Sequence, residues 1–153
     1  MEAVIFTGIQ ASGKSTFYKE RFYDTHVRIN LDMLRTRNRE AILVQACFRA
    51  RQPFVVDNTN PTRADRARYI GPAKEAVFRV VSYYFDVDLR ESIQRNAQRA
   101  GKARIPVFGI HGTQRKLEAP SPDEGFDEIY VVRIRPNGGF DVEKTFSRVS
   151  PEG

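Results

Sequence analysis

The 153-residue sequence holds one cysteine, two histidines and no tryptophan. A lone Cys47 excludes a disulfide framework and a cysteine-rich zinc site. His26 and His111 have no partners at metal-ligand spacing and read as structural. No run approaches the roughly 18 apolar residues that a membrane helix needs, so no membrane association is expected. The opening Met1–Thr7 has no basic region, and its apolar run is too short for a secretory leader. Scarce thiols and the lack of a leader together lead to an expected cytoplasmic, reducing location. Repeats, linkers and low-complexity tracts are also missing. At roughly 150 residues per domain, residues 1–153 are expected to form one domain, large enough to fold without a metal or disulfide staple.

Charge is what the sequence has in excess. Lys plus Arg is 25 against 19 for Asp plus Glu, a net +6, and 19 of the cations are Arg. Guanidinium suits bidentate phosphate contacts where ammonium acts as a point charge. Two explanations stand at this stage: a codon bias toward Arg, or a phosphate-rich partner.

Apolar runs alternate with helix-like stretches. Ala3–Phe6, His26–Asn30, Phe54–Val56, Val77–Phe85 and Ile129–Ile134 read as strands. Lys14–Phe22, Met33–Arg51, Thr62–Glu75 and Leu89–Ala100 read as helices, with a break expected at Gly71-Pro72. Within Met33–Arg51, Ala41, Ile42, Leu43, Ala46, Cys47 and Ala50 form the expected apolar stripe. Asn137-Gly138-Gly139 signals a turn that pairs Phe140–Phe146 back as a hairpin, and Ser121–Gly125 reads as a loop. Strands separated by helices predict an α/β fold with a mostly parallel sheet in three layers.

The strongest motif is Gly8-Ile9-Gln10-Ala11-Ser12-Gly13-Lys14-Ser15, a complete G-x-x-x-x-G-K-[ST] phosphate loop between a buried strand and a helix. Small residues let backbone N–H groups curl around a phosphate, and the helix from Lys14 through Ser15 and Thr16 aims its positive end at the same anion. Lys14 reaches the β and γ phosphates of ATP, and the Ser15 hydroxyl holds Mg²⁺. The sequence has no Asn-Lys-x-Asp guanine-reading motif, nor the long apolar strand ending in two acids that marks a mechanical ATPase. A small phosphotransferase with a helical lid remains.

Asn30, Asp32 and Arg35 stand on the acceptor side. If a helix begins there, Asp32 and Arg35 share a face, and a carboxylate can take a hydroxyl proton while the arginine holds an acceptor phosphate. Asp32 capping the helix and pairing with Arg35 accounts for the same spacing. Asp57-Asn58-Thr59-Asn60-Pro61 closes a buried strand where ligands of open α/β sheets bind, which points to Asp57 as a metal or loop partner; an Asx turn explains Asn60. Arg95 and Arg99, followed by Gly101-Lys102-Ala103-Arg104, form a basic segment suited to a lid, although Glu91 and Arg95 also have ion-pair spacing. Tyr83, Tyr84 and Phe85 read as filling the two faces of their strand. Arg35, Arg37, Arg39, Arg49, Arg51, Arg63, Arg66 and Arg68 read equally as a strand-binding groove or as solvated helix faces.

In this order, the phosphate loop, Asn30-x-Asp32-x-x-Arg35 and Asp57-Asn58-Thr59-Asn60-Pro61 resemble the polynucleotide 5′-kinase family. So do Arg95-Asn96-Ala97-Gln98-Arg99, Ile105-Pro106-Val107, Arg115–Pro120 and Glu124-Gly125-Phe126. The likeness is to kinase domains of polynucleotide kinase–phosphatases, within the AAA-like and zeta-toxin-like P-loop kinases, and spans about residues 4–132. It implies a P-loop three-layer sandwich and ATP·Mg²⁺-dependent phosphorylation of a 5′-hydroxyl end of DNA or RNA. A ligase or phosphatase would be a natural partner enzyme for such an activity. The resemblance makes Asp32 the general base and Arg35 an acceptor contact. Asp57 becomes the metal-end organiser, Arg99 a lid residue on the donor phosphates with Arg95 nearby, and adenine lies near Arg115–Pro120. The loop departs from the family in reading Gln10-Ala11 for the usual Pro-Gly. No phosphatase motif is present, and the tail 133–153 matches nothing in the family. A small-metabolite kinase and a non-catalytic nucleic-acid-binding module are the alternatives to the polynucleotide kinase.

Overall fold

The computed structural model describes residues 1–148, the side chain of Lys102 excepted. Residues 149–153, the end of the predicted tail, lie outside the described residues. Six strands form one sheet: β1 (Glu2–Thr7), β2 (Val27–Ile29), β3 (Phe54–Val56), β4 (Arg79–Phe85), β5 (Glu128–Ile134) and β6 (Phe140–Ser147). Their spatial order is β2-β3-β1-β4-β5-β6. All neighbours are parallel except β5 and β6, the predicted hairpin. The helices are α1 (Lys14–Arg21), α2 (Leu31–Leu34), α3 (Arg37–Ala50), α4 (Arg63–Glu75), α5 (Leu89–Ala97) and α6 (Val107–Lys116).

Alternation along β1 makes the three layers. Ala3 and Ile5 face one side with α3 and α4, packed on Val44, Cys47, Phe48, Tyr69, Ile70 and Ala73. Val4 and Phe6 face the other, where α1 buries Phe17 and Tyr18 beside Phe22 and Phe85. A strand covered on both faces reads as a continuous apolar run, which is why β1 and β3 are so plain in the sequence.

Four expectations change. The stripe on α3 is Val44, Cys47 and Phe48; Ala41, Ile42, Ala46 and Ala50 are exposed. Alanines are neutral markers of a helix face, and the bulkier Phe48 decides which face goes in. Helix α4 runs through Pro72 unbroken, because its buried residues Arg66, Tyr69, Ile70 and Ala73 bind both sides of the proline to the sheet. Helix α5 ends at Ala97 instead of Ala100. Residues Ser121–Gly125 form a short 3₁₀ turn over Pro122–Glu124, with Ser121 and Glu124 capping each other. Helix α6 has no counterpart in the pattern reading, because Gly109 and Gly112 dilute its helical signal.

The tail beyond Arg133 has a structural task. Phe140 packs edge-on against Phe17 with ring centroids 5.1 Å apart, and a Cβ on Gly13 would meet Phe140 at 3.0 Å and Ile134 at 3.3 Å. The hairpin thus floors the loop that precedes α1.

The eight arginines do not share one groove: Arg35 and Arg37 line the cleft, while three others are engaged elsewhere. Arg66 is fully buried, giving Glu124 two hydrogen bonds of 2.8 and 2.9 Å and donating to the Asn60 and Glu118 carbonyls. Arg63 pairs with Asp123. Arg51 donates to Ala76 and Val77 carbonyls and lies over the Phe78 ring. Removing one partner of a buried pair strands the other charge, so Arg66→Met should cost about 3–5 kcal/mol of unfolding free energy. The double variant Arg66→Met/Glu124→Leu should recover most of it. Urea unfolding of the three proteins checks both expectations.

Candidate active site

The loop between β1 and α1 curls over the ends of the central strands. Gly8 is pressed against Phe85, where an added Cβ would sit 2.9 Å from the Phe85 Cβ and 2.9 Å from Ser12 Oγ. Ala11 holds φ at 58° and Gly13 at 92°, so the backbone keeps the anion-binding curl although Ala11 stands where glycine would adopt it without cost. In the left-handed region that departure costs about 1–2 kcal/mol before any compensation. Lys14 folds back onto its own loop, donating to the carbonyls of Gly8 (3.1 Å) and Ile9 (2.7 Å). Burial pushes its ammonium down from 10.5 to about 8; Asp57 opposes the shift, Arg99 adds to it, and Asp32 opposes it.

The parallel pairing of Ile5 with Val56 brings the end of β3 beside the start of α1. Asp57, whose side chain is 1% exposed, accepts from Ser15 Oγ at 3.0 Å and from Arg28 Nε at 2.9 Å. Arg28 Nη2 also donates to Ser15 Oγ at 3.0 Å, closing a triangle. A hydroxyl and a carboxylate are hard oxygen donors of the kind Mg²⁺ takes, with phosphates and water completing its shell. No cluster of three His, Cys, Asp or Glu able to hold a metal alone exists among the described residues. Ser15 and Asp57 therefore fit Mg²⁺ arriving with a nucleotide.

Across the cleft, the side chain of Asn30 caps α2 by accepting from the Met33 N–H and donates to the Asp57 carbonyl at 2.7 Å. The cap is thus Asn30, not Asp32. Asp32 and Arg35 both line the cleft, though not as two turns of one helix. The helix ends at Leu34, and Arg35 has φ 77° and ψ −37°. A bulky residue held there stores about 1–3 kcal/mol of strain. A buried network fixes this turn. Asn58 accepts from the Leu31 N–H and donates to Glu40, which takes further bonds from Tyr69 and Arg37. Burial and the Glu40 hydrogen bond hold the Tyr69 phenol up at about 12, so it remains a donor. Asn60, at φ 42°, reaches across to the Phe6 carbonyl instead of making a local turn.

The third wall comes from α5, α6 and the chain between them. Asn96 both donates to the Ile105 carbonyl and accepts its N–H, closing residues 97–104 into a loop. Arg99 projects from that loop into the cleft and donates to the Ala103 carbonyl. Gln10 bonds Thr113 at 3.0 Å, tying the phosphate loop to α6.

The cleft measures about 920 Å³, room for a nucleotide and part of an acceptor. Residues Gln10 to Thr16 line it, with Asp32, Arg35, Asp57 and Arg99. Gly8 lies beneath the loop. Arg95 does not line the cleft, and its buried Nη1 has no partner among the described residues. No ion pair joins it to Glu91 there, so neither reading of Arg95 gains a contact. Arg28, Asp65 and Thr113 line the cleft without having been singled out in the sequence, whereas Lys116 falls in the Arg115–Pro120 segment. Arg28 did carry a signal, as a lone cation inside a three-residue strand directly before Asn30.

The profile of the AAA domain family matches residues 4–115 of this chain. The bifunctional polynucleotide phosphatase/kinase of Schizosaccharomyces pombe is 24% identical over 140 residues, covering 88% of this chain. The chain spans about a third of that relative's length, 34%. Among solved structures, Kti12 of Chaetomium thermophilum, in complex with ADP-AlF3, superposes with a TM-score of 0.65 at 16% identity, covering 86% of this chain and 88% of that one. The Mycobacterium tuberculosis APS kinase CysC, in complex with AMPPNP and APS, gives 0.55 at 18% identity and 90% coverage of both. The fold is that of the P-loop kinases. No helix of the described residues is long and apolar enough to cross a membrane.

The depressed Lys14 generates a pH signature. A polyphosphate beside Lys14 favours its charged form, so above pH 8 nucleotide binding must take up a proton. Affinity should then fall as pH rises from about 8, approaching tenfold per unit. Calorimetry at pH 9 in buffers of different ionisation enthalpy should register close to one proton taken up, and at pH 6.5 almost none. The nucleotide-free fold should conversely gain stability from pH 8 toward 10.5, where the unfolded chain binds the extra proton.

Proposed function

We propose that this chain, which belongs to the AAA domain family, moves the γ-phosphate of ATP to a 5′-hydroxyl end of DNA or RNA. The observation that carries the reading is one cleft holding Asp32 with Arg35 and Arg37 on one side and Lys14 with Ser15 on the other. Asp32 suits a hydroxyl acceptor as its base, and Arg35, with Arg37 paired to Glu40 beside it, suits an acceptor that itself carries phosphate. The likeness to the Schizosaccharomyces pombe enzyme supports the same acceptor.

In this mechanism the loop N–H groups, Lys14 and the N-terminus of α1 hold the polyphosphate. Ser15 and Asp57 would hold Mg²⁺, which would supply charge neutralisation for the polyphosphate. Arg35 and Arg37 orient the acceptor strand. The 5′-oxygen forms a bond to the γ-phosphorus while the bond to the β–γ bridging oxygen breaks. Asp32 takes the hydroxyl proton, and the electron pair leaves with ADP. Arg99 faces the transferring group and offsets its charge, and adenine lies toward Arg115–Pro120.

A second reading is a kinase of a small acceptor, favoured by the end-to-end match with APS kinase. Transfer of labelled γ-phosphate decides between the two, with 5′-hydroxyl DNA, RNA and a set of nucleosides and sugars as rival acceptors. Oligonucleotide labelling should fall about 10²–10⁴-fold in Asp32→Asn with ATP affinity retained, and vanish in Lys14→Ala with affinity lost. Label entering only a small acceptor would replace the polynucleotide reading.

A further inference from the structure

Asp57 is a carboxylate placed at the end of a buried strand, and its one cationic partner among the described residues is Arg28. The triangle it forms with Arg28 and Ser15 uses the same two oxygens that fit Mg²⁺. One lone pair of Ser15 Oγ is taken by Arg28 Nη2, and Asp57 Oδ2 is shared between Arg28 Nε and the Ser15 hydroxyl. A divalent cation on those oxygens competes with Arg28 for them. Ser15 Oγ keeps a second lone pair that can turn to the metal, but two cations would then crowd one carboxylate. Arg28 has somewhere else to go: its side chain is 28% exposed and lines the cleft.

We propose that Arg28 is a built-in counter-cation that holds Ser15 and Asp57 in the metal-free chain and yields them when magnesium enters with nucleotide. Three consequences follow from the charges. Asp57 is never buried without a cation, so the metal-free fold does not carry the cost of a stranded carboxylate. Arg28 competes with magnesium, which raises the concentration needed for half-saturation. Once released, its guanidinium lies in the cleft as an additional anion-binding group. The inference rests on nucleotide and magnesium binding at the phosphate loop and is independent of the acceptor.

The test therefore uses the full chain with no acceptor. A fluorescent ADP analogue is titrated at a series of free Mg²⁺ concentrations against wild type, Arg28→Gln and Arg28→Lys, and melting temperatures are read in EDTA and in saturating Mg²⁺·ADP. Half-saturating Mg²⁺ should fall about tenfold in Arg28→Gln, the scale of one charged hydrogen bond. Its melting temperature should drop in EDTA and largely recover with Mg²⁺·ADP, and Arg28→Lys should fall between the two. Equal melting losses in both conditions with unchanged Mg²⁺ dependence would reduce Arg28 to a structural residue and overturn the proposal. Should Arg28→Gln fail to fold, the wild-type protein still decides. The Arg28 Nε–H resonance, assigned by its absence from Arg28→Lys, must lose its exchange protection on adding Mg²⁺·ADP but keep it with ADP in EDTA. Retained protection in both would also overturn it.

Discussion

A carboxylate at the end of a fully buried strand must be given a cation, and the geometry of the cleft follows from how Asp57 meets that demand. Parallel pairing of β1 with β3 sets Asp57 beside the first turn of α1, where Ser15 donates to it and Arg28 supplies the charge. Stranding such a group would cost several kcal/mol. Lys14, next door, is treated differently. It is buried but bonded to carbonyls and a hydroxyl, so it is held by dipoles and not by a counter-charge, and its ammonium is weakened. A polyphosphate supplies the anion that Lys14 lacks.

The polar cluster after β3 distributes its duties residue by residue. Asp57 serves the loop side, Asn58 the α2 turn and Asn60 the end of β1. Each side chain replaces a backbone partner that the irregular chain cannot provide, which keeps buried polar groups satisfied where strands stop. Through Asn58, Glu40 and Tyr69, the position of Asp32 is tied to α3 and α4. The wall that carries Asp32 is therefore rigid at its base, while Arg99 stands on a short loop clasped by Asn96 and Ile105.

Motifs that look alike in the chain turn out to do different work. Glu124-Gly125-Phe126 holds no cleft residue; Glu124 neutralises Arg66, Gly125 turns at φ 110° against Ile70, and Phe126 is core. Asn96 is a clasp where Arg99, three residues on, faces the cleft. Even the tail, which lies past the region matched by the family profile, reaches the site from beneath through Ile134 and Phe140. Relatives at under 25% identity share the scaffold.

The sequence alone determined the parts whose physics is local. The phosphate loop, the doubly covered strands, the Asn-Gly-Gly hairpin and the placement of Asp57 at a strand end each follow from spacing and residue type within a few positions. Tertiary structure decided what depends on distant partners. The buried face of α3 was set by where the bulky Phe48 meets Phe54 and Phe78. Arg66 went inside because Glu124, 58 residues later, meets it there. The convergence of Asp32 and Arg35 came from a strained turn and not from helical spacing. Arg28 became a partner of Asp57 only when β2 paired with β3, because a charge in a short strand has no meaning until the opposite charge arrives from elsewhere in the chain.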